Sequence, residues 1–514
     1  MTESQRSPAA DTKLDAGVLK VAGVVVLGAI MSILDITVVN VALPTFQVDL
    51  GSPDNPVSYA HVAWTVTAYT LSLATVIPLT GWAADRFGTK RLYLLALVLF
   101  TAGSVLCAAA NDINMLIAFR VVQGLGGGML MPLGMTIMTR AAGPQRMGRL
   151  MAIMGIPMLL GPIMGPILGG WLIEAVSWHW IFLINLPIGV IALVYAFFVL
   201  PSDKAKASER FDLIGMLLMS PGLALFLFGV STIPDEGTVT ATRVWVPMLI
   251  GAVLIIAFVL YSFRPKHPLL DLRLFANRDL TVSVITVFLF GAAFFGGLLL
   301  VPTYFQQIRG EDTLHAGLLV APQGLGAMLT MPIAGRLADR IPVGRIVPFG
   351  LLLIVAGMFP LTQISADTSY GFLLSCLFVL GLGMGATMTP LMTAALRTLT
   401  DQKVARGTTL LNISQQIASS IGVAIMSVLL TNGLKESPLA QAAIGAQRDP
   451  SIAEQLGPQA IATGLAEGAD AFASTYWVAW AMMLLTLIPA LFLRRKRQPP
   501  TEQGDAAPTS VVIH

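Results

Sequence analysis

GAIMSILDITVVNVALPTF, residues 28–46, is apolar and long enough to cross a bilayer, yet it carries a carboxylate, Asp35. A helix needs about 20 consecutive apolar residues to span the hydrocarbon core. An acid at the middle of such a span costs roughly 2.5–3.5 kcal/mol on insertion scales. A charge kept at that cost needs a partner, and either a packing role or a pathway to serve.

The rest of the chain is built in the same way. It has 514 residues, 55% of them hydrophobic and 11% charged, and its mean hydropathy is +0.77. Long uncharged runs alternate with short charged loops, the pattern of a polytopic membrane protein. In lipid every backbone group must be bonded internally, which leaves helices or a closed barrel. Continuous rather than alternating apolar runs exclude the barrel, so an all-α membrane protein is expected. Residues 1–17 are polar and lack a signal-peptide pattern, so the first span reads as an uncleaved anchor. Cys107 and Cys376 each lie inside an apolar run and read as small packed residues rather than metal ligands.

On the ~20-residue criterion there are about fourteen spans: 18–43, 60–82, 91–110, 112–138, 150–174, 180–200, 211–232, 244–263, 281–305, 313–335, 346–364, 370–394, 407–432 and 472–493. An even count puts both termini on one side, and the positive-inside rule tests it. Of the 31 Lys and Arg residues, all but five fall on the side of the termini. Arg243, Arg309, Lys435 and Arg448 fall on the other, and Arg120 lies within a span. Both termini are therefore expected in the cytoplasm.

A repeat divides the chain. PLTGWAADRFGTKR (78–91) matches PIAGRLADRIPVGR (332–345) at Pro, Gly, Ala, Asp, Arg and the final Arg. RAAGPQRMGR (140–149) matches RTLTDQKVAR (397–406) at both terminal arginines and at Gln. One six-helix unit thus occurs twice, a common transporter architecture. The expected organisation is a tail at 1–17, a six-helix bundle at 18–200, a linker with two extra spans at 201–279, a second bundle at 280–493 and a tail at 494–514. The two extra spans carry no interior charge and read as a peripheral packing pair. The segment 433–471 is long and polar and reads as an external loop.

Asp35 has a candidate partner. Arg120, in MLIAFRVVQGLGGG, is the one basic residue deep in an apolar run. Counted at ~1.5 Å per residue from the ends of spans 1 and 4, both lie roughly 12–14 Å below the outer rim. Unlike charges at matched depth on antiparallel helices tolerate the membrane better together than apart. Burial favours the neutral acid and the guanidinium favours the carboxylate. A group balanced in this way can exchange protons. Span 5, GIPMLLGPIMGPILGGWLI (155–173), holds three prolines and five glycines, so it is either a kinked packing helix or a bent helix sealing one face of a cavity. The remaining intramembrane polar residues include Asn40, Gln123, Gln323, Asn412, Gln415 and Gln416. Each is either a helix–helix hydrogen bond or a substrate contact. There is no G-x-x-x-x-G-K-[ST] loop, which argues against an ATP-driven pump. No His/Cys cluster or nucleophile elbow occurs, and an enzyme is not expected.

Together these motifs resemble the major facilitator superfamily over the whole chain. GWAADRFGTKR resembles its cytoplasmic loop signature, RVVQGLGGG its span-4 motif, and LGPIMGPILGG the span-5 motif of antiporters. LDITVVNVALP and WHWIFLINLPIGV resemble the fourteen-helix drug:proton antiporters, the EmrB/QacA-like branch. The resemblance implies two six-helix bundles plus two further helices around a central cavity, and export of lipophilic compounds against proton entry. It implies proton coupling at Asp35 and Arg120, and gating at Gly81, Asp85, Arg86, Gly88 and Arg91, with Asp339 and Arg340 in the second copy. The span-5 motif covers Gly161, Pro162, Gly165, Pro166, Gly169 and Gly170. Some cation exporters of this family carry further acids within spans 2, 10 or 13. Here those interiors have none, so neutral or monocationic lipophiles are expected over dications.

The expected partners are such substrates, protons and membrane lipids, with a periplasmic adaptor protein as an optional further one and no nucleic acid. No cofactor is expected, the proton gradient being the energy source, and the expected location is a bacterial inner membrane. A proton-linked uptake symporter and a non-transporting scaffold or sensor are the alternatives. Accumulation in inverted vesicles distinguishes the first, and absence of any gradient-dependent flux the second.

Overall fold

Each long apolar run becomes a helix, because only a helix bonds every backbone group within the segment. The computed structural model describes residues 16–51, 59–142, 167–201, 211–266, 268–397, 401–447 and 450–495, with a few single positions between. Among these, 13 helices are long and apolar enough to span a membrane. The fourteenth expected span, 150–174, lies largely outside the described residues, which resume as helix from 167.

The first bundle contains α1 (Ala16–Asp49), α2 (Tyr59–Phe87), α3 (Thr89–Ala108), α4 (Ile113–Ala142), the short α5 (His179–Leu183) and α6 (Asn185–Val199). The extra pair is α7 (Leu213–Glu236) and α8 (Thr242–Ser262). The second bundle contains α9 (Arg278–Gln307), α10 (Thr313–Arg340), α11 (Val343–Met358), α12 (Tyr370–Arg397), α13 (Asp401–Glu436), α14 (Pro438–Ala446) and α15 (Pro450–Leu491). Several hydroxyls inside the spans are satisfied locally: Thr70, Thr75 and Thr136 each donate to the carbonyl four residues back, which spares a polar group the cost of standing unpaired in an apolar span.

Helix α4 is the axis of the first bundle, packed on α1, α2 and α3. In the second, α12 packs on α10 and α11, and α9 on α13 and α15. Helices α7 and α8 cross at glycines. A Cβ on Gly251 would lie 2.3 Å from the Phe226 nitrogen, and one on Gly229 would lie 2.6 Å from the Val244 oxygen. Asp212 caps α7 by accepting from the Gly215 nitrogen, and also accepts from Tyr261 and from the Leu269 nitrogen. The pair is thereby tied to the chain entering the second bundle. It is not peripheral to one bundle. Helix α7 packs on α2, with Trp64 stacked on Phe228 at 5.4 Å, and on α13 through Val230, Ile233 and Ala424.

The segment 433–471 is not a loop where it is described. It forms the end of α13, all of α14 and the first turns of α15. Ser437 caps α14 by accepting from the Ala440 nitrogen at 2.9 Å, and Pro438 occupies the first turn. Gly457, at φ 74°, kinks α15. The segment is polar but rich in alanine, the best helix former. Its polarity marks contact with water and not irregular backbone.

Candidate functional site

Asp35 is 2% exposed and Arg120 0%, although both carry formal charge. They meet: Arg120 Nη1 lies 2.5 Å from Asp35 Oδ2. The matched depth read from the sequence therefore places them in contact across α1 and α4.

Three further elements complete the cage. Arg120 Nη1 also donates to Gln123 Oε1 at 2.7 Å, and its Nε donates to the Thr65 carbonyl of α2 at 3.1 Å. The guanidinium lies over the Tyr69 ring, 4.1 Å from its centroid, a cation–π contact that suits a desolvated arginine. Gln123, one turn after Arg120, donates from Nε2 to Asp35 Oδ1 at 2.7 Å and to Ser104 of α3 at 2.6 Å. Asn185, opening α6, donates to the same Asp35 Oδ1 at 3.4 Å and to Ser104 at 3.2 Å. One carboxylate is thus held by donors from two helices and braced by a third through Ser104. A buried charge persists only when paired and hydrogen-bonded, and this one is both.

The glycines of RVVQGLGGG make the cage possible. A Cβ on Gly124 would lie 2.7 Å from the Tyr69 oxygen, and one on Gly126 would lie 2.4 Å from the Phe100 nitrogen. Backbones of α2, α3 and α4 therefore approach closely around Arg120 and Gln123.

The span-5 glycines pack on the other side of α1. Cβ atoms on Gly161, Gly165 and Gly169 would meet Ile33, Thr37 and Val38, respectively, whereas one on Gly170 meets nothing within 4 Å. Thr37 donates to the Gly161 carbonyl at 3.1 Å. Pro162 and Pro166 lie outside the described residues.

At the loop end of the first bundle Gly88, at φ 88°, turns the chain into α3, a conformation that favours glycine. Arg140 lies 3.5 Å from Asp85 and donates to Thr89 Oγ1 at 2.5 Å. Arg86 and Arg91 are exposed, as is Arg340 in the second copy. The side chain of Asp339 lies outside the described residues. A Cβ on Gly81 would lie 3.1 Å from Thr409 Oγ1 and 3.5 Å from the Ala405 carbonyl. The loop end of α2 therefore touches the start of α13, and the two bundles meet there.

The amides do not form one set. Gln123 belongs to the carboxylate cage, its two ends committed to Asp35 and Arg120. Of its two readings, the structure shows the helix–helix hydrogen bond. Asn40 is exposed on the last turns of α1. Gln323 is buried against α12, where a Cβ on Gly381 would meet its backbone oxygen. Asn412 donates to the Thr408 carbonyl at 2.8 Å and approaches Met135 of α4 at 3.7 Å. Gln415 and Gln416 are half-buried on α13. Ser104 and Asn185 escape a reading of the sequence, because neither is charged and nothing in the spacing shows which way α3 and α6 turn them. No group of three or more potential metal ligands occurs among the described residues.

Residues 25–423 match the Major Facilitator Superfamily. The chain is 48% identical over 500 residues to a multidrug resistance protein B homolog of Mycobacterium tuberculosis, covering 94% of this chain and 92% of that one. It is 30% identical to the multidrug export protein EmrB of Haemophilus influenzae, over 79% of each chain. Among solved structures it resembles the human organic anion transporter MFSD10, with a TM-score of 0.61 at 16% identity over 91% of this chain and 99% of that one. At that identity the likeness shows the fold alone.

Proposed function

Because the chain belongs to the Major Facilitator Superfamily, we propose that it exports lipophilic small molecules across a bacterial cytoplasmic membrane in exchange for protons, with Asp35 as the proton carrier. The observation that carries this reading is the fully enclosed Asp35–Arg120 pair. Relatives named for multidrug resistance and export support the direction and the class of cargo. An intramembrane ion pair marks an ion pathway more often than a packing device.

In this reading the proton gradient is the only energy source and no cofactor enters the cycle. A proton arriving from outside neutralises Asp35 and weakens its hold on Arg120. Loss of that proton to the cytoplasm restores the pair. Proton and cargo use the cavity alternately, and the two bundles rock between outward and inward openings. Both termini face the cytoplasm, in accord with the arginine distribution.

Inverted membrane vesicles test the reading with ethidium, a lipophilic monocation, and Nile red, a neutral lipophile. Acidifying the lumen should drive accumulation of at least one dye. A dye gradient formed only when the lumen is alkaline would mean uptake and not export. An impermeant maleimide should leave Thr463→Cys unlabelled in the same vesicles, and labelling there would reverse the orientation.

Gating is assigned to the loop of Gly81, Asp85, Arg86, Gly88 and Arg91 and to its second copy with Asp339 and Arg340. Asp85 is half-buried beside Arg140, one turn after Gly81, which touches α13. A charge–helix-end or ion-pair contact at such a site is worth ~0.3–1 kcal/mol. Asp85→Asn should therefore shift the inward/outward ratio by roughly two- to fivefold while leaving insertion intact. Spin-label distances across the loop ends read that ratio, and unchanged populations with unchanged transport would remove the loop from the gate.

A further inference from the structure

We propose that Asn185 is a positioning residue of the proton site, holding Asp35 Oδ1 from α6 so that the proton is gained and lost at Oδ2, opposite Arg120. The proposal rests on the reading of Asp35 as proton carrier and adds the group that orients it.

The two carboxylate oxygens are not equivalent. Oδ2 accepts one hydrogen bond, from Arg120 Nη1 at 2.5 Å. Oδ1 accepts two, from Gln123 Nε2 at 2.7 Å and Asn185 Nδ2 at 3.4 Å. A proton placed on Oδ1 would face two N–H groups that can only donate. On Oδ2 it faces one, and that one belongs to the guanidinium whose release is the point of the step. Oδ1 stays anchored meanwhile, so the carboxyl group does not swing when the ion pair opens. The balance is simple: one O–H bond forms at Oδ2, one N–H···O contact with Arg120 is lost, and the same proton later leaves to water on the other side.

The fold places Asn185 for this task. It is 2% exposed and opens α6. One turn on, a Cβ at Gly189 would lie 2.1 Å from Thr101 Oγ1 of α3 and 3.1 Å from Met31 of α1. Only glycine lets α6 press so closely against α3 and α1, and that approach delivers the Asn185 amide to Ser104 and Asp35. Ser104 Oγ accepts from both amides, so Gln123 and Asn185 are braced against a common point. The titratable groups that face this site from the packed helices are Arg120 on α4, Tyr69 on α2 and Cys107 on α3, whose Sγ lies 3.5 Å from Gln123 Oε1. Asn185 itself does not titrate, so it can act on the proton equilibrium only through the hydrogen bond it donates.

A hydrogen bond to the charged form favours that form. Removing it should make the proton harder to release at the cytoplasmic face. The experiment measures ethidium and Nile red transport in inverted vesicles as a function of pH at a constant imposed gradient. Asn185→Leu keeps the branched heavy-atom shape and removes the donor. Asn185→Ala removes it without adding atoms, in case leucine prevents insertion. Either should move the half-maximal pH upward by about 0.5 unit or more, a roughly threefold gain in proton affinity. Asn185→Gln keeps an amide and should return the profile toward the parent. A slower rate with an unmoved profile would make Asn185 a packing residue and overturn the proposal, as would a profile moved equally by glutamine. Asp35→Asn in parallel separates the two ideas. If it still exports along the gradient, the carrier reading fails; if it is dead while the Asn185 profiles do not move, only the positioning role fails.

Discussion

Asp35→Asn is expected to abolish gradient-driven export of ethidium and Nile red while leaving dye binding to the purified protein measurable. The amide keeps the size of the carboxyl and one acceptor oxygen, but it cannot take or lose a proton at any accessible pH. It also leaves Arg120 buried without a counter-charge. Breaking a buried pair by removing one partner typically costs about 3–5 kcal/mol, so loss of transport must be separated from loss of fold. A monodisperse, dye-binding variant that no longer responds to pH is the expected result. Transport equal to the parent across a range of imposed gradients would make the carboxylate structural. Arg120→Lys should fail for a different reason. Arg120 serves Asp35 Oδ2, Gln123 Oε1 and the Thr65 carbonyl at once while stacked on Tyr69. A single ammonium on a flexible stem reproduces neither the fork nor the stack.

Much of this site was legible in the chain before any coordinates. Charges inside apolar runs are conspicuous, and the constant rise of a helix turns residue counts into depths. Asp35, nine residues before Pro44, and Arg120, eight residues after Asp112, could therefore be paired by depth. What could not be read was rotation. Gln123 sits one turn from Arg120 and reads from the sequence either as a helix–helix hydrogen bond or as a substrate contact; its amide points to the carboxylate, a direction no residue count shows. Ser104 and Asn185 look like ordinary polar residues of apolar spans. Their convergence depends on the close approach of α3, α4 and α6, which side-chain volume at Gly103, Gly126 and Gly189 controls and charge does not. The helices of 433–471 were missed for a related reason, since hydropathy separates lipid from water and is blind to backbone conformation.

The glycines thus decide more than their lack of chemistry suggests, and Gly126→Val is expected to be severely damaging although it lies outside the charged pair. A Cβ there would lie 2.4 Å from the Phe100 nitrogen, 2.8 Å from the Ala96 oxygen and 2.9 Å from the Phe100 Cα. All three are backbone atoms of a buried helix, so no side chain can swing away. Neighbouring positions offer no relief. Gly103 of α3 would bring a Cβ within 2.6 Å of the Gln123 Cα, and Gly128 would meet the Leu73 oxygen at 2.8 Å. Overpacking of a tight core costs typically 1–3 kcal/mol and occasionally more, and valine adds two methyls beyond the first clashing atom. The variant should lose most of its monodisperse protein on size exclusion, or show a clearly lower Tm. Gly317→Val supplies the control, because a Cβ at Gly317 meets nothing within 4 Å, and it should behave as the parent. The smaller Gly126→Ala is the more informative partner. The outward movement of α4 needed to admit one methyl would shift Arg120 and Gln123 against the carboxylate, whose contacts are 2.5 and 2.7 Å. Export should then fall while the folded fraction stays high. Normal folding and normal transport in both Gly126 variants would mean that the α3–α4 contact is looser than these distances require, and that the cage does not depend on it.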